Sequence, residues 1–219
     1  IILNMRVISF AEGEFYHIFI HAAPNLILFK NNGDYIRFIN TLFFGNSEKS
    51  IQRLDRKVDL NSVWDMRDGK IDIGAPLVGI VCFCLMPNHI HLILEEKSGG
   101  NISIFMHRIL VSFSKYINLK YERRGHVFES TFHSKYLENN RYLLRASSYV
   151  HLNPKDIPQW NKKEHLFQWS SFQDYVGENR WGNLLSRELL LSQFGNKPQE
   201  YHNFVETARH NTDHYDMDF

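Results

Sequence analysis

Two hydrophobic periods alternate along the chain. Phe15-Tyr16-His17-Ile18-Phe19-Ile20-His21 is β-branched and aromatic throughout, which reads as a first strand. Asn32-Gly33-Asp34 is a turn and helix start, after which Tyr35, Phe38, Ile39, Leu42 and Phe43 recur at helical spacing. From Ser47 to Pro76 the pattern is charged and irregular, and predicts a short hairpin or a mobile insertion over 47–76. Leu77 to Leu85 is a continuous apolar run, expected as a buried strand. Pro87-Asn88 then turns the chain into His89-Ile90-His91-Leu92-Ile93-Leu94, a strand ending near Glu95-Glu96. Ser98-Gly99-Gly100-Asn101 caps a long helix, roughly 102–121, that buries Ile102, Phe105, Ile109, Phe113, Tyr116 and Ile117. Arg123-Arg124-Gly125 ends it, and Val127 to Leu137 reads as a further strand. Asn139-Asn140 caps another helix through Tyr142, Leu143, Ala146 and Val150. Asn153-Pro154 stops that helix, because a residue before proline is pushed out of the helical region.

Beyond Pro158 the text turns aromatic, with Trp160, the run Trp169-Ser170-Ser171-Phe172, Tyr175 and Trp181, and short helical patterns follow. The expectation is one α+β domain over 1–158, a ferredoxin-like antiparallel sheet with helices packed on it. A helical C-terminal extension over 159–219 follows, with its own aromatic core and a frayed polar tail from Asn211.

Composition narrows the class. With 219 residues and 43% hydrophobic content the chain can bury a real core. It has no apolar run of membrane-spanning length and no basic-then-apolar opening, so neither a span nor a signal peptide is expected. Cys82 and Cys84 are badly spaced within one strand for a disulfide, which suits a reducing, cytoplasmic setting. The net charge of +1 is uninformative, but its distribution is not: residues 97–149 hold nine Lys and Arg against three acids. The basic excess adjoins the histidine strand and suits an anionic partner.

Side chains two apart in a strand share a face, so His89 and His91 sit side by side while Ile90 and Leu92 point away. Two imidazoles aimed at one spot can hold a divalent metal; alone, the pair fits hydrogen-bonded strand histidines equally well. A further ligand is available on the helix before Pro154. Tyr149 and Asn153 are four apart and share one helical face. Laid over the histidine strand, Asn153 offers an amide oxygen and Tyr149 a phenol beside the metal. Imidazole and carbonyl oxygen with open positions suit Mg²⁺ or Mn²⁺. A two-residue Pro87-Asn88 turn also places Cys84 opposite His91, which leaves a zinc site from Cys84, His89 and His91 as an alternative. A tyrosine at a metal points to nucleophilic attack on a phosphodiester. Such attack leaves a phosphotyrosine and a free hydroxyl. Arg108, Lys115, Arg123, Arg124, His126, His133, Lys135 and Arg141 are the candidate DNA contacts. They would position the backbone rather than read sequence. Most of His17, His21, His107, His126, His133 and His151 are expected as surface or strand residues.

The series "LMPNHIHLIL", then "RRGHVFESTFHSKYLENNRYLLRASSYVHLNP", then "FQWSSFQDYVG", "LLSQFG" and "YHNFVE", resembles the REP-associated tyrosine transposases, a group of the single-tyrosine HUH transposases. The opening "FYHIFIHAAPNLILFKNNGDYIRFINTL" resembles the start of that family, so the likeness covers most of the chain. It implies a ferredoxin-like fold, a metal held by His89 and His91 with help from Asn153, and Tyr149 as nucleophile. It further implies cleavage of hairpin-bearing single-stranded DNA to a 5′-phosphotyrosine, by a monomer or homodimer at the prokaryotic nucleoid. A domesticated member that grips hairpins without cutting is the alternative. His21 stands where many relatives carry arginine, and Glu129-Ser130-Thr131 where a Gln-Gly-Arg-like stretch is usual.

Overall fold

The structure is a computed structural model, and it describes residues 9–48, 60–72 and 74–210. Strands β1 (Phe15–His21), β2 (Val78–Met86), β3 (His89–Glu96) and β4 (His133–Tyr136) form one sheet in the order β2-β3-β1-β4. Every pairing is antiparallel. Helix α1 (Asn32–Gly45) follows β1 and α3 (Asn101–Lys120) follows β3, which completes the expected ferredoxin-like order. Pro87-Asn88 closes the β2–β3 hairpin, pairing Met86 with His89 and Cys84 with His91.

The period-two rule divides the sheet. Tyr16, Ile18 and Ile20 of β1 share a face with Leu92 and Leu94 of β3, and α1 and α3 pack together over it. Gly45 permits their close approach, since a methyl there would come within 2.5 Å of Ile109 Cγ2. Asp34 locks the pair: its carboxylate accepts from the Lys30 and Asn31 amides, Tyr116, Lys120 and Tyr121. A second carboxylate serves α3, where Glu96 accepts from the amides of Asn101 and Ile102. Those first-turn amides have no partner inside the helix.

The other face carries His17, Phe19, His21, His89 and His91, and is covered by α4 (Asn140–Leu152). Both faces are therefore buried, which is why β2 reads as an unbroken apolar run. Beyond α4 the chain forms α5 (Phe172–Val176), α6 (Glu188–Leu191) and α7 (Pro198–His210), linked by 3₁₀ turns. This extension covers the open edge of β2. Phe83 exchanges hydrogen bonds with Ser171, Leu85 N–H donates to Trp169 O, and Ser186 N–H donates to Ile80 O. A bulge between Ile80 and Cys82 inserts Val81 as an extra residue, and the Tyr175 hydroxyl donates to its carbonyl at 2.6 Å. An uncovered edge strand is a template for aggregation. Trp169, expected in the core of the extension, is buried and stacks on Tyr35 with ring centroids 4.5 Å apart.

Three expectations need correction. Within 47–76, the described part forms a helix, α2 (Leu60–Arg67), rather than a hairpin; 49–59 and 73 lie outside the described residues. Val63 and Met66 of α2 are buried in the main core, a helical i, i+3 pair that the charged surroundings hid. The strand expected over 127–137 is regular only from His133 to Tyr136; before it Phe128 forms an isolated antiparallel bridge with Ala22, the residue after β1. Asn153 keeps helical angles, φ −50° and ψ −40°, despite preceding a proline, and α4 tightens into a 3₁₀ turn over Asn153–Asp156. The proposed tail from Asn211 lies outside the described residues. Among the described residues no helix is long and apolar enough to cross a membrane.

Candidate active site

Four histidines meet because β1 and β3 are neighbours in register, with His21 opposite His89 and Phe19 opposite His91. His21 and His89 stack with ring centroids 5.1 Å apart, as do His17 and His91. Helix α4 crosses above them. The Tyr149 ring stands edge-on to His91 at 5.5 Å and to His17 at 5.9 Å. Persistence of helical angles through Asn153 keeps that residue one turn beyond Tyr149 on the same face. The structure thus brings Tyr149, His89, His91 and Asn153 together, all from one chain.

The hydrogen bonds around His89 define its chemistry. Nδ1 lies 2.9 Å from Asn88 Oδ1 and Nε2 lies 3.1 Å from Asn153 Oδ1. The orientation of the Asn153 amide is fixed, since its Nδ2 donates to Tyr149 O at 3.0 Å. A neutral imidazole has one N–H and cannot serve both oxygens. With the proton on Nδ1, the bare Nε2 and Asn153 Oδ1 converge as two lone pairs 3.1 Å apart. Adjacent ligands on a cation with bonds of ~2.1 Å have that separation. The donor set fits Mg²⁺ or Mn²⁺: two imidazoles and an amide oxygen, leaving positions for water and substrate oxygen. Among the described residues no group of three or more His, Cys, Asp and Glu is arranged to hold a metal.

Burial keeps these rings neutral. Desolvation lowers the His89 pKa, against the Asn153 amide oxygen, which would accept a hydrogen bond from the protonated ring. It lowers His91 well below the ordinary value, helped by the neighbouring histidines His17, His89 and His21. His17 is fully buried, and desolvation together with the Lys135 charge takes it to about 3. Its Nε2 lies 2.9 Å from His91 Nδ1 and its Nδ1 has no partner. His17 was expected only as a surface or strand residue. Its parity with Phe19 and His21 was the available signal, but its depth depends on which strand pairs with β1.

Cys84 does lie opposite His91, but the zinc alternative gains no support. Both thiols are buried, and desolvation pushes each pKa upward, away from the thiolate that zinc needs.

The candidate DNA contacts fall into two groups. His133 and Lys135 on β4 share the histidine face, pairing with Phe19 and His17, and Arg141 is exposed on the first turn of α4. Arg108, Lys115, Arg123, Arg124 and His126 belong to α3 and the loop after it, on the other side of the sheet. Arg108 donates to Ser47 O, and Arg123 to Asn118 Oδ1 and His126 O, so both have structural duties. Lys115, Arg124 and His126 are exposed.

Three comparisons bear on this arrangement. The sequence model of the family described as IS200-like transposase matches residues 76–153, which span β2, β3, α3, β4, α4 and Asn153. Among solved structures, one titled as a REP-associated tyrosine transposase bound to a REP hairpin matches with a TM-score of 0.53. The two chains are 14% identical over 76% of this chain and 81% of that one, a likeness of fold. No curated protein matches.

Proposed function

We propose that this chain, a relative of the IS200-like transposases through residues 76–153, cuts and rejoins single-stranded, hairpin-bearing DNA with the help of a divalent metal. One observation carries the reading: the Tyr149 ring stands edge-on to His91 at 5.5 Å, and Asn153, one helical turn beyond Tyr149, places its Oδ1 3.1 Å from His89 Nε2. A bare phenol is a weak nucleophile at neutral pH, with a pKa near ~10, so it needs an activated phosphorus beside it.

His89, Asn153 and the second ring nitrogen of His91 would hold Mg²⁺ or Mn²⁺. When bound, the ion neutralises a non-bridging phosphate oxygen and orients the phosphodiester. Tyr149 Oη attacks phosphorus, forming the Tyr–O–P bond, and the bond from phosphorus to the 3′ oxygen breaks. The products are a 5′-phosphotyrosine and a free 3′-hydroxyl. Attack by the 3′-hydroxyl of another strand reverses the step, returns the proton to the phenol and joins the DNA. One phosphodiester is exchanged for another, so no nucleotide cofactor is consumed. His133, Lys135 and Arg141 on the same face would hold the backbone.

The test is a hairpin oligonucleotide with single-stranded arms, incubated with Mn²⁺ or Mg²⁺ and resolved under denaturing conditions. A covalent protein–DNA species is expected, lost in Tyr149→Phe and in metal-free buffer. His89→Ala and His91→Ala should abolish it while salt-dependent binding persists. An adduct that survives Tyr149→Phe refutes the assignment. Tight binding with no adduct under any metal establishes a hairpin-binding module instead.

A further inference from the structure

We propose that Asp156 supplies the negative charge that the candidate metal site otherwise lacks, acting through water held on the ion, an inference that rests on the metal-assisted function just given. The donors of that site, from His89, His91 and Asn153, are two imidazoles that burial keeps neutral and an amide. Mg²⁺ in proteins is usually held by one or two carboxylates together with several retained waters. Neutral donors alone leave the charge of a hard dication without a counterpart in the protein.

The chain places an acid where that counterpart is needed. Asn153 to Asp156 form the 3₁₀ turn that continues α4. A 3₁₀ turn takes three residues, so side chains at positions 153 and 156 eclipse, about 6 Å apart along the axis. Asp156 therefore follows Asn153 on one side of the helix, and Asn153 Oδ1 lies 3.1 Å from His89 Nε2. The Asp156 charge reaches that ring: burial lowers the His89 pKa, and the carboxylate works against it. Among the described residues no three histidines, cysteines and acids ligate one ion directly, so the carboxylate acts from one water away.

The fold itself gives Asp156 no task. It is exposed, and among the described residues no hydrogen bond or ion pair engages it. The turn closes through the backbone, where Ile157 N–H donates to Pro154 O, and the side chain caps nothing. The C-terminal end of a helix carries partial negative charge on its last carbonyls, which disfavours an acid there. A carboxylate that is exposed, unpaired and set against the helix dipole is accounted for by a cation that binds beside it.

The test is Mn²⁺ titration of the full chain followed by electron paramagnetic resonance, with metal-free unfolding in denaturant alongside. Asp156→Asn removes the charge and keeps the shape, and should weaken Mn²⁺ binding about tenfold. Asp156→Glu returns the charge on a longer arm and should recover most of that loss. Without metal, Asp156→Asn should be at least as stable as wild type, because it relieves the helix end. Unchanged Mn²⁺ affinity in Asp156→Asn overturns the proposal. So does an affinity loss that Asp156→Glu shares in full, or one accompanied by a lower unfolding midpoint, which makes Asp156 a structural residue. Wild type that binds no Mn²⁺ overturns it outright. The covalent adduct separates this role from the function itself: Asp156→Asn should need about tenfold more Mn²⁺ for half-maximal adduct. An adduct with the same metal dependence in both proteins overturns the role of Asp156 alone. Mn²⁺ affinities in the expected order, with no adduct from any hairpin, overturn the nicking reaction and leave Asp156 at the metal site.

Discussion

Replacing His17 by phenylalanine should separate metal affinity from stability. To offer a lone pair at Nε2, His91 must carry its proton on Nδ1 and donate it to His17 Nε2, 2.9 Å away. Phenylalanine keeps the ring volume but removes the acceptor, so neither the tautomer nor the orientation of His91 is held. Loss of such a partner behind a ligand weakens metal binding typically 10–100-fold, about 1.4–2.7 kcal/mol. The fold responds differently. His91 Nδ1 becomes a buried atom without a partner, at a cost of about 1–3 kcal/mol. The same change removes His17 Nδ1, which already lacks one. These terms are of similar size and opposite sign, so metal-free stability near neutral pH should change by less than ~1 kcal/mol.

Acid supplies a third readout of this variant. The His17 pKa is about 3 in the fold, below the ordinary 6.5. Its contribution is therefore fully present above 6.5 and is lost as pH falls towards 3. His17→Phe removes that loss and should show a shallower decline across the window, by a few kcal/mol at its acid end. The assays are Mn²⁺ titration followed by electron paramagnetic resonance, and denaturant unfolding in EDTA at several pH values. Unchanged Mn²⁺ affinity, or affinity and stability lost together, refutes the argument.

Two further outcomes test the frame around the site. Tyr175→Phe leaves the Val81 carbonyl at the β2 bulge without its 2.6 Å donor, and should cost about 1–3 kcal/mol in denaturant unfolding; wild-type stability would contradict the role given to the extension. Burial raises the Asp34 pKa, but bonds from Lys120, Tyr121, Tyr116 and the Lys30 amide bring it below the ordinary carboxylate value. Its contribution is present above pH ~3.9 and lost as pH falls through the lowered value, so Asp34→Asn should be less stable at pH 7 and show a flatter decline below pH 4.

Much of this fold was legible because two short elements state their faces outright. His89 and His91 alternate with Ile90 and Leu92, and the Pro87-Asn88 turn fixes what lies opposite, so the histidine face follows from the pleat alone. Tyr149 and Asn153 share a face by helical spacing. Less legible was anything set by long-range pairing. His17 looks like one aromatic strand residue among several until β1 is placed beside β3. Helix α2 was hidden because its buried positions, Val63 and Met66, are a small minority in a charged segment. Strand propensity over 127–132 was overridden by the route of the chain, which rounds the sheet edge there and leaves a cavity behind it.

The position of Tyr149 depends on residues far beyond it in sequence. Helix α4 has a second buried face, and His151 is its anchor. Tyr201 of α7 meets His151 Nδ1 at 2.8 Å, and Ser171 Oγ meets Nε2 at 2.9 Å. A neutral ring satisfies both contacts, accepting the Tyr201 proton at Nδ1 and donating from Nε2. Full burial lowers its pKa to about 3, which keeps that form across the physiological range. Ser171 also accepts from Phe83 N–H, so one hydroxyl couples β2 to the ring that fixes α4. The tyrosine helix is thus gripped from the histidine side through Asn153 and from behind through α7 and the 170–171 turn. A helix held on both sides keeps its phenol in place, so the attack proposed for Tyr149 would carry no entropic cost for ordering it.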